Sequence, residues 1–193
     1  MAIAVTVGTA VGLVAGWFGG WVDAILMRIV DGLLAIPSVF IVLLVLALWE
    51  TAGVAPLIVV LGCTGWFATA RLVRAEVLSL RRRDFVLGLE ALGVPRSRIL
   101  WRHVLPNALP PVIVTATVGV GQIILLEAGL SYLGVGVRPP TPSWGAMIRE
   151  GTAALATAPW IAASAGVALV LTVLAVSLLG DALRDVLDPR IRA

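Results

Sequence analysis

RLVRAEVLSLRRRDFVLGLEALGVPRSRILWRHVLPN, residues Arg71 to Asn107, decides how the rest of the chain is read. It carries eight of the fourteen basic residues (Arg71, Arg74, Arg81, Arg82, Arg83, Arg96, Arg98 and Arg102) and the one histidine, His103. On both sides the chain is apolar and nearly free of charge over lengths that suit a bilayer. A cationic island of this size cannot rest in hydrocarbon, so it reads as a loop in water between membrane helices. Arginine-rich loops are retained on the cytoplasmic side, and the loop is placed there.

Composition agrees with that reading. The 193 residues are 60% hydrophobic and 13% charged, with a mean hydropathy of +1.06; an ordinary soluble domain has about 25% charged residues. The isoelectric point near 10.4 invites nucleic acid as a partner, yet the net charge is only +3. Most of that excess lies beside apolar runs, where an orientation signal accounts for it better than a phosphate-binding face. No lysine occurs anywhere. That excludes a Walker-type phosphate loop, a Schiff-base lysine and a Ser-Lys dyad. One cysteine, Cys63, and one histidine make neither a disulfide framework nor a His/Cys zinc site. Cys63 stands in an apolar run and is expected to be inert packing. Any chemistry that powers this chain must come from another one, so no catalytic residue, metal or cofactor is assigned to it.

Charge-free intervals at 1–22, 32–49, 51–70, 104–126 and 151–180 locate the spans. Each reaches or approaches the roughly 20 residues a helix needs to cross about 30 Å of hydrocarbon. Five transmembrane helices are therefore expected, in an all-α polytopic bundle. In the first, about Ile3 to Phe18, Gly8, Gly12 and Gly16 recur every fourth residue and form a stripe that lets two backbones approach closely. A tryptophan-flanked turn comes next at GWFGGWVD, and Arg28 and Asp31 are close enough to pair on one helix face. Pro37 should kink the second span. An outer turn is expected at Glu50 and Gly53, before a third span from about Ala55 to Arg71. The fourth runs from about Pro110 to Leu130, with Gln122 and Glu127 near its outer end. An ionisable group at membrane depth is a functional candidate, and a hydrogen-bonded structural carboxylate is the equal alternative for Glu127. Residues 131–158 are too rich in Pro and Gly to span and form an outer loop or re-entrant segment. The fifth span, about Pro159 to Gly180, leads to a tail with Arg184, Arg190 and Arg192. A basic tail is cytoplasmic, and five spans then put the N-terminus outside.

Within the cytoplasmic loop, about residues 75–107, Ala75 to Leu92 reads as a helix with Phe85, Leu89 and Leu92 as its apolar stripe. Gly93 stops it as a C-cap glycine. Pro95 opens a second short helix and Pro106 ends it. On a regular helical wheel Leu100, Trp101, Val104 and Leu105 share one arc, while Arg96, Arg98, Arg102 and His103 share the other. Ile99 falls among the cations. The expectation is a helix with one face on its own protein and a basic face, bearing Ile99 as an apolar knob, left for a partner. The competing reading is an interfacial helix whose arginines meet only lipid phosphates.

Gly93 followed by RSRILWRHVLPN resembles the cytoplasmic loop of binding-protein-dependent ABC importer permeases, closest to the second permease subunit of dipeptide, oligopeptide and nickel systems. Further blocks resemble that subfamily in the same order: GWFGGWVD, MRIVDGLLAIPS (Met27 to Ser38), LSYLGVGVRPPTPSWGAM (Leu130 to Met147) and LLGDALRDVLDPR (Leu178 to Arg190). Where family loops often have Glu-Ala-Ala, this chain has Leu87, Gly88 and Leu89, so no role passes to a glutamate there. Family members usually carry a further N-terminal span, which residues 1–193 are expected to lack, through truncation, an internal start or a shortened variant.

The resemblance implies a single permease domain over residues 1–193 in a bacterial inner membrane, half of a translocation path for di- or oligopeptides. It implies a second permease subunit, ABC ATPase subunits that hold ATP and Mg, and an external substrate-binding protein, with the lipid bilayer as surroundings. Gly93, Arg96, Arg98, Ile99, Arg102, His103, Leu105 and Pro106 would form the coupling segment seated on the ATPase. Gln122 and Glu127 are the candidates for the path or a gate. Nickel or another small solute is the alternative cargo. A stand-alone secondary transporter or channel, and a non-transporting subunit, are the alternatives of another class; the former usually buries paired charges mid-membrane, and the span centres here are bare.

Overall fold

The computed structural model describes residues 1–48 and 54–187. The expected turn at Glu50 and Gly53, and the tail residues Arg190 and Arg192, lie outside them. Among the described residues all regular structure is helical: α1 (Ala2–Phe18), α2 (Gly20–Leu34), α3 (Ser38–Leu48), α4 (Val54–Leu80), α5 (Asp84–Ala91), α6 (Arg96–Ile99), a π-turn (Leu100–Val104), α7 (Leu105–Tyr132), α8 (Trp144–Ala153) and α9 (Trp160–Leu187).

Among the described residues three helical stretches are long and apolar enough to cross a membrane: Val54–Leu80, Arg96–Tyr132 and Trp160–Leu187, with mean hydropathies of 1.6, 1.9 and 2.4. The helices on either side of Pro37 make a fourth if they form one broken span, and the break falls where a proline acts. At 17 residues, α1 is apolar but reaches only about 25 Å at 1.5 Å per residue. Apolar side chains cover the outward faces of these helices; Leu125, Val170, Leu171 and Leu178 are each at least half exposed. No water-facing surface would retain such faces; a lipid or a neighbouring helix must cover them.

The chain divides into two compact units. One contains residues 2–36, 65–116 and, of the described tail, 183–187. Its helices α1 and α2 form a hairpin turned by Gly19 and Gly20, whose φ of 66° and 54° only glycine adopts without cost. The glycine stripe of α1 lies against α4. A Cβ placed on Gly8 would fall 2.6 Å from Thr69 Cβ, one on Gly12 2.7 Å from Val73 Cβ, and one on Gly16 2.8 Å from Val77 Cβ. The backbones therefore touch where any side chain would separate them, as the four-residue spacing predicts. Two ion pairs fasten α2 to α4. Arg71 Nη2 meets Asp31 Oδ1 at 2.5 Å, and Arg74 donates through Nε and Nη2 to both carboxylate oxygens of Asp23, the latter at 2.6 Å. Asp31 thus binds a residue forty positions away rather than Arg28, three positions away.

The other unit contains Met1 and residues 37–64 and 117–182. Val42, Leu57, Val60, Leu61 and Leu130 form its buried centre. Here the structure adds a helix to the 131–158 stretch. Past the last turn of α7, Gly134 takes a φ of 84°; Val135 N–H bonds Leu130 O at 3.0 Å and Gly134 N–H bonds Ser131 O at 3.1 Å, the paired closure of a Schellman cap. Ser143 then caps α8 by accepting from Ala146 N–H at 3.2 Å. Gly145 and Gly151 let α8 lie flush against α7 at Ala128 and against α9 at Ala162. Cys63, on α4, is exposed rather than packed within the chain.

Candidate coupling loop and membrane carboxylate

The expected helix from Ala75 to Leu92 is two helices. α4 continues unbroken from the membrane stretch to Leu80, the three arginines Arg81–Arg83 make a turn, and α5 restarts at Asp84. The amides of Arg82 and Arg83 close that turn on Ser79 O and Leu80 O. Because the register restarts, Val86 is the buried residue of α5 (1% exposed), while Phe85 and Leu92 face outward at 41% and 81%. Of the expected Phe85–Leu89–Leu92 stripe, only Leu89 packs on the core, together with Val86.

Gly93 stops the helix as its place in the sequence implies. Its φ is 74°; Val94 N–H reaches Leu89 O at 3.1 Å and Gly93 N–H reaches Glu90 O at 3.0 Å. This is again a Schellman closure, and Leu89 and Val94, the apolar pair that accompanies such a cap, both pack on the same core cluster. Pro95 begins the next helical turn in an extended conformation (φ −62°, ψ 136°).

Pro106 does not end that helix. Residues Arg96 to Tyr132 form one unbroken helical stretch of 37 residues, with Pro106 near the start of α7. A proline has no N–H for the carbonyl four residues back and its ring crowds that carbonyl. The chain meets this by widening: Leu105 N–H donates to Leu100 O, five residues earlier, within the π-turn. Asn107 Nδ2 adds a bond to His103 O at 2.6 Å.

The wider turn alters which side chains share a face. Ile99, Leu100 and Val104 are 0%, 9% and 0% exposed and join Leu13, Trp17, Val73, Val77 and Val86 in one cluster. Ile99 is consequently not an apolar knob on a basic face; it anchors the segment. Trp101, expected on the buried arc, is 62% exposed. Arg96, Arg98, Arg102 and Pro106 are exposed, and His103 and Leu105 are half-buried. The segment therefore exposes its arginines as expected, while the large apolar residues exposed near them are Leu92 and Trp101. Arg96 stands 4.0 Å from Glu90 at the surface, a separation of little energetic weight. Arg81 is better placed: it donates to Gly16 O at 3.1 Å and lies 5.5 Å from the centre of the Trp17 ring, tying the arginine turn to the end of α1.

Gln122 is exposed on α7. Glu127, half-buried, accepts a hydrogen bond from Ser131 Oγ at 2.6 Å, and Ser131 Oγ in turn accepts from Val137 N–H at 2.9 Å. Ser131 is 1% exposed. The chain Val137–Ser131–Glu127 pins the segment after α7 back onto the helix and fixes the carboxylate. Glu127 also lines a cavity of about 550 Å³ whose other walls include Leu57, Ile58, Leu61, Ile123, Trp144 and Met147. It is thus a hydrogen-bonded carboxylate and a cavity group at once. Among the described residues no group of three or more His, Cys, Asp or Glu gathers to hold a metal ion.

The sequence profile of the binding-protein-dependent transport system inner membrane components matches residues 8–193. This chain belongs to that family. Among its relatives, the dipeptide transport system permease protein DppC of Alkalihalophilus pseudofirmus is 39% identical over 190 residues, 96% of this chain and 61% of that protein. The oligopeptide transport system permease protein OppC of Bacillus subtilis is 40% identical over 186 residues, 96% of this chain and 61% of that one. The glutathione transport system permease protein GsiD of Pectobacterium atrosepticum is 38% identical over 191 residues, 99% and 63%. The chain thus spans just over three fifths of the length of these family members. As a member of the family it is a multi-pass membrane protein.

Proposed function

We propose that this chain acts as a permease subunit of an ATP-driven importer for di- or oligopeptides, as a single permease domain forming half of the path. A second permease, ABC ATPase subunits and an external binding protein complete the assembly, and ATP and Mg sit on the ATPase. The observation that carries this reading is mechanical. The exposed cations Arg96, Arg98 and Arg102 stand on the turns that lead directly into α7, and Ile99, Leu100 and Val104 bolt those turns to α1, α4 and α5. In this reading a push on the basic face is taken up by that anchored turn and passed to the start of α7. Motion of an ATPase beneath such a turn would then shift the helix between two arrangements. In this assembly the Arg81–Arg102 region and the C-terminus face the cytoplasm, and Gln122 and Glu127 are the candidates for the path or a gate.

Support comes from the relatives, which are named for dipeptide, oligopeptide and glutathione transport. The test is purification of the tagged chain from cells that express the neighbouring transport subunits. A second permease and an ATPase should come down with it, and vesicles holding the assembly should take up a labelled dipeptide only with ATP and binding protein. A chain that purifies alone, or uptake that ignores ATP, contradicts the proposal.

A further inference from the structure

The cavity beside Glu127 has a composition that the coupling mechanism does not use. Its walls are mainly apolar, with Leu57, Ile58, Leu61, Ile123 and Met147 among them, and Trp144, Thr141 and Ser143 complete one side. Glu127 is the one ionisable side chain among its lining residues. Its carboxylate is held by Ser131 at 2.6 Å, and among the described residues no arginine or histidine nitrogen pairs with it. The first turn of α8 packs on the α7 backbone at Ala128, the next residue along, so the carboxylate and the Trp144 ring are carried on two helices in direct contact. An acidic group fixed within an apolar wall that includes an indole is complementary to one ligand chemistry: an organic ammonium with an apolar body. The carboxylate takes the charge, the indole face adds to it, and the aliphatic wall takes the rest.

We infer that Glu127 and Trp144 form a subsite for the primary ammonium group of an incoming substrate, the free amino terminus of a peptide with an apolar first residue. The assignment of a peptide rests on the functional reading above; the ammonium chemistry does not. Ser131 and Val137 act as positioning groups, holding the carboxylate toward the cavity without touching the ligand.

The test uses the assembled transporter in nanodiscs, without external binding protein, and two radiolabelled probes: L-leucyl-L-leucine amide and its N-acetylated form. The wild-type assembly should bind the free amine about tenfold more tightly, the scale of one charged hydrogen bond. Glu127→Gln keeps an acceptor for Ser131 but removes the charge, and it should bind both probes equally weakly. Trp144→Leu should weaken the free amine alone. Equal binding of the two probes by wild type, no binding of either, or an amine preference that survives in Glu127→Gln would each overturn the subsite. If Glu127→Gln does not assemble, the wild-type comparison and Glu127→Asp, expected to retain part of the preference, decide the matter. ATP-driven uptake of dileucine by the same preparation with binding protein is read separately. Its absence would remove the peptide reading while leaving the probe result to judge the ammonium site.

Discussion

Ile99 and Val104 are five residues apart and both are fully buried in the same cluster. On a regular helix that spacing puts two side chains well over a quarter-turn apart, whereas a turn closed by an i to i+5 bond brings them onto one face. The Leu105 N–H to Leu100 O bond supplies that turn. Truncation at Ile99 should therefore act on anchoring, not on a partner contact. Ile99→Ala is expected to cost about 2–5 kcal/mol locally and Ile99→Val about 0.5–1.5, read as a lowered unfolding temperature of the purified assembly. Leu92→Asp, at an 81% exposed site, should leave that temperature unchanged and weaken ATPase retention instead.

Gly93 separates strain from space. Nothing lies within 4 Å of where its Cβ would be, yet its φ is 74°. Gly93→Val should break the link between α5 and α6 because a β-branched residue resists that region, while Gly93→Asn should be nearly neutral. Uptake and ATPase association of the two variants check this; equal loss in both would mean that something other than backbone conformation requires glycine.

The α1–α4 contact makes the opposite prediction, since there space is the limit. Gly12→Leu meets Val73 and the Ala70 backbone and should cost about 1–3 kcal/mol through overpacking. Gly32→Leu, with nothing within 4 Å, should not. Thermal unfolding of the two purified variants should show the loss in the first only.

The Asp23–Arg74 pair should respond to charge reversal. Asp23→Arg leaves Arg74 beside a like charge in a partly buried site, with an expected loss of about 1.5–3 kcal/mol, the range for hydrogen bonds to charged groups. Exchange of both residues should recover a good part of it. Thermal unfolding of the two single variants and the double variant gives the coupling.

The features legible in the sequence are those whose cause is local. The four-residue glycine period, the positive-φ stop at Gly93 and the Pro37 break each depend on a few neighbouring residues, and each stands where expected. The rest depends on distant partners or on an interrupted period. Arg28 looks like the mate of Asp31 because three residues separate them, while the true mate, Arg71, is forty away. A wheel of constant pitch puts Ile99 on the outer face, and the π-turn ahead of Pro106 violates that pitch. Helix α8 is hidden by the Pro- and Gly-rich run before it, although Ser143 three residues ahead of Ala146 is a usable capping signal. The five-span expectation counts charge-free runs alone; α1, at 17 residues, shows why run length and helix length differ. For Glu127, its place near the end of an apolar run is readable, but its clasp by Ser131 requires the loop after α7 to fold back.

In the proposed assembly the basic turn faces the cytoplasm and meets an ATPase. A single cysteine at Arg98, in a Cys63→Ser background because Cys63 is itself exposed, tests it with a membrane-impermeant maleimide. Labelling should occur in inside-out vesicles and not in right-side-out ones, and bound ATPase should protect the site. Labelling from the outer side, or labelling indifferent to the ATPase, would contradict the account.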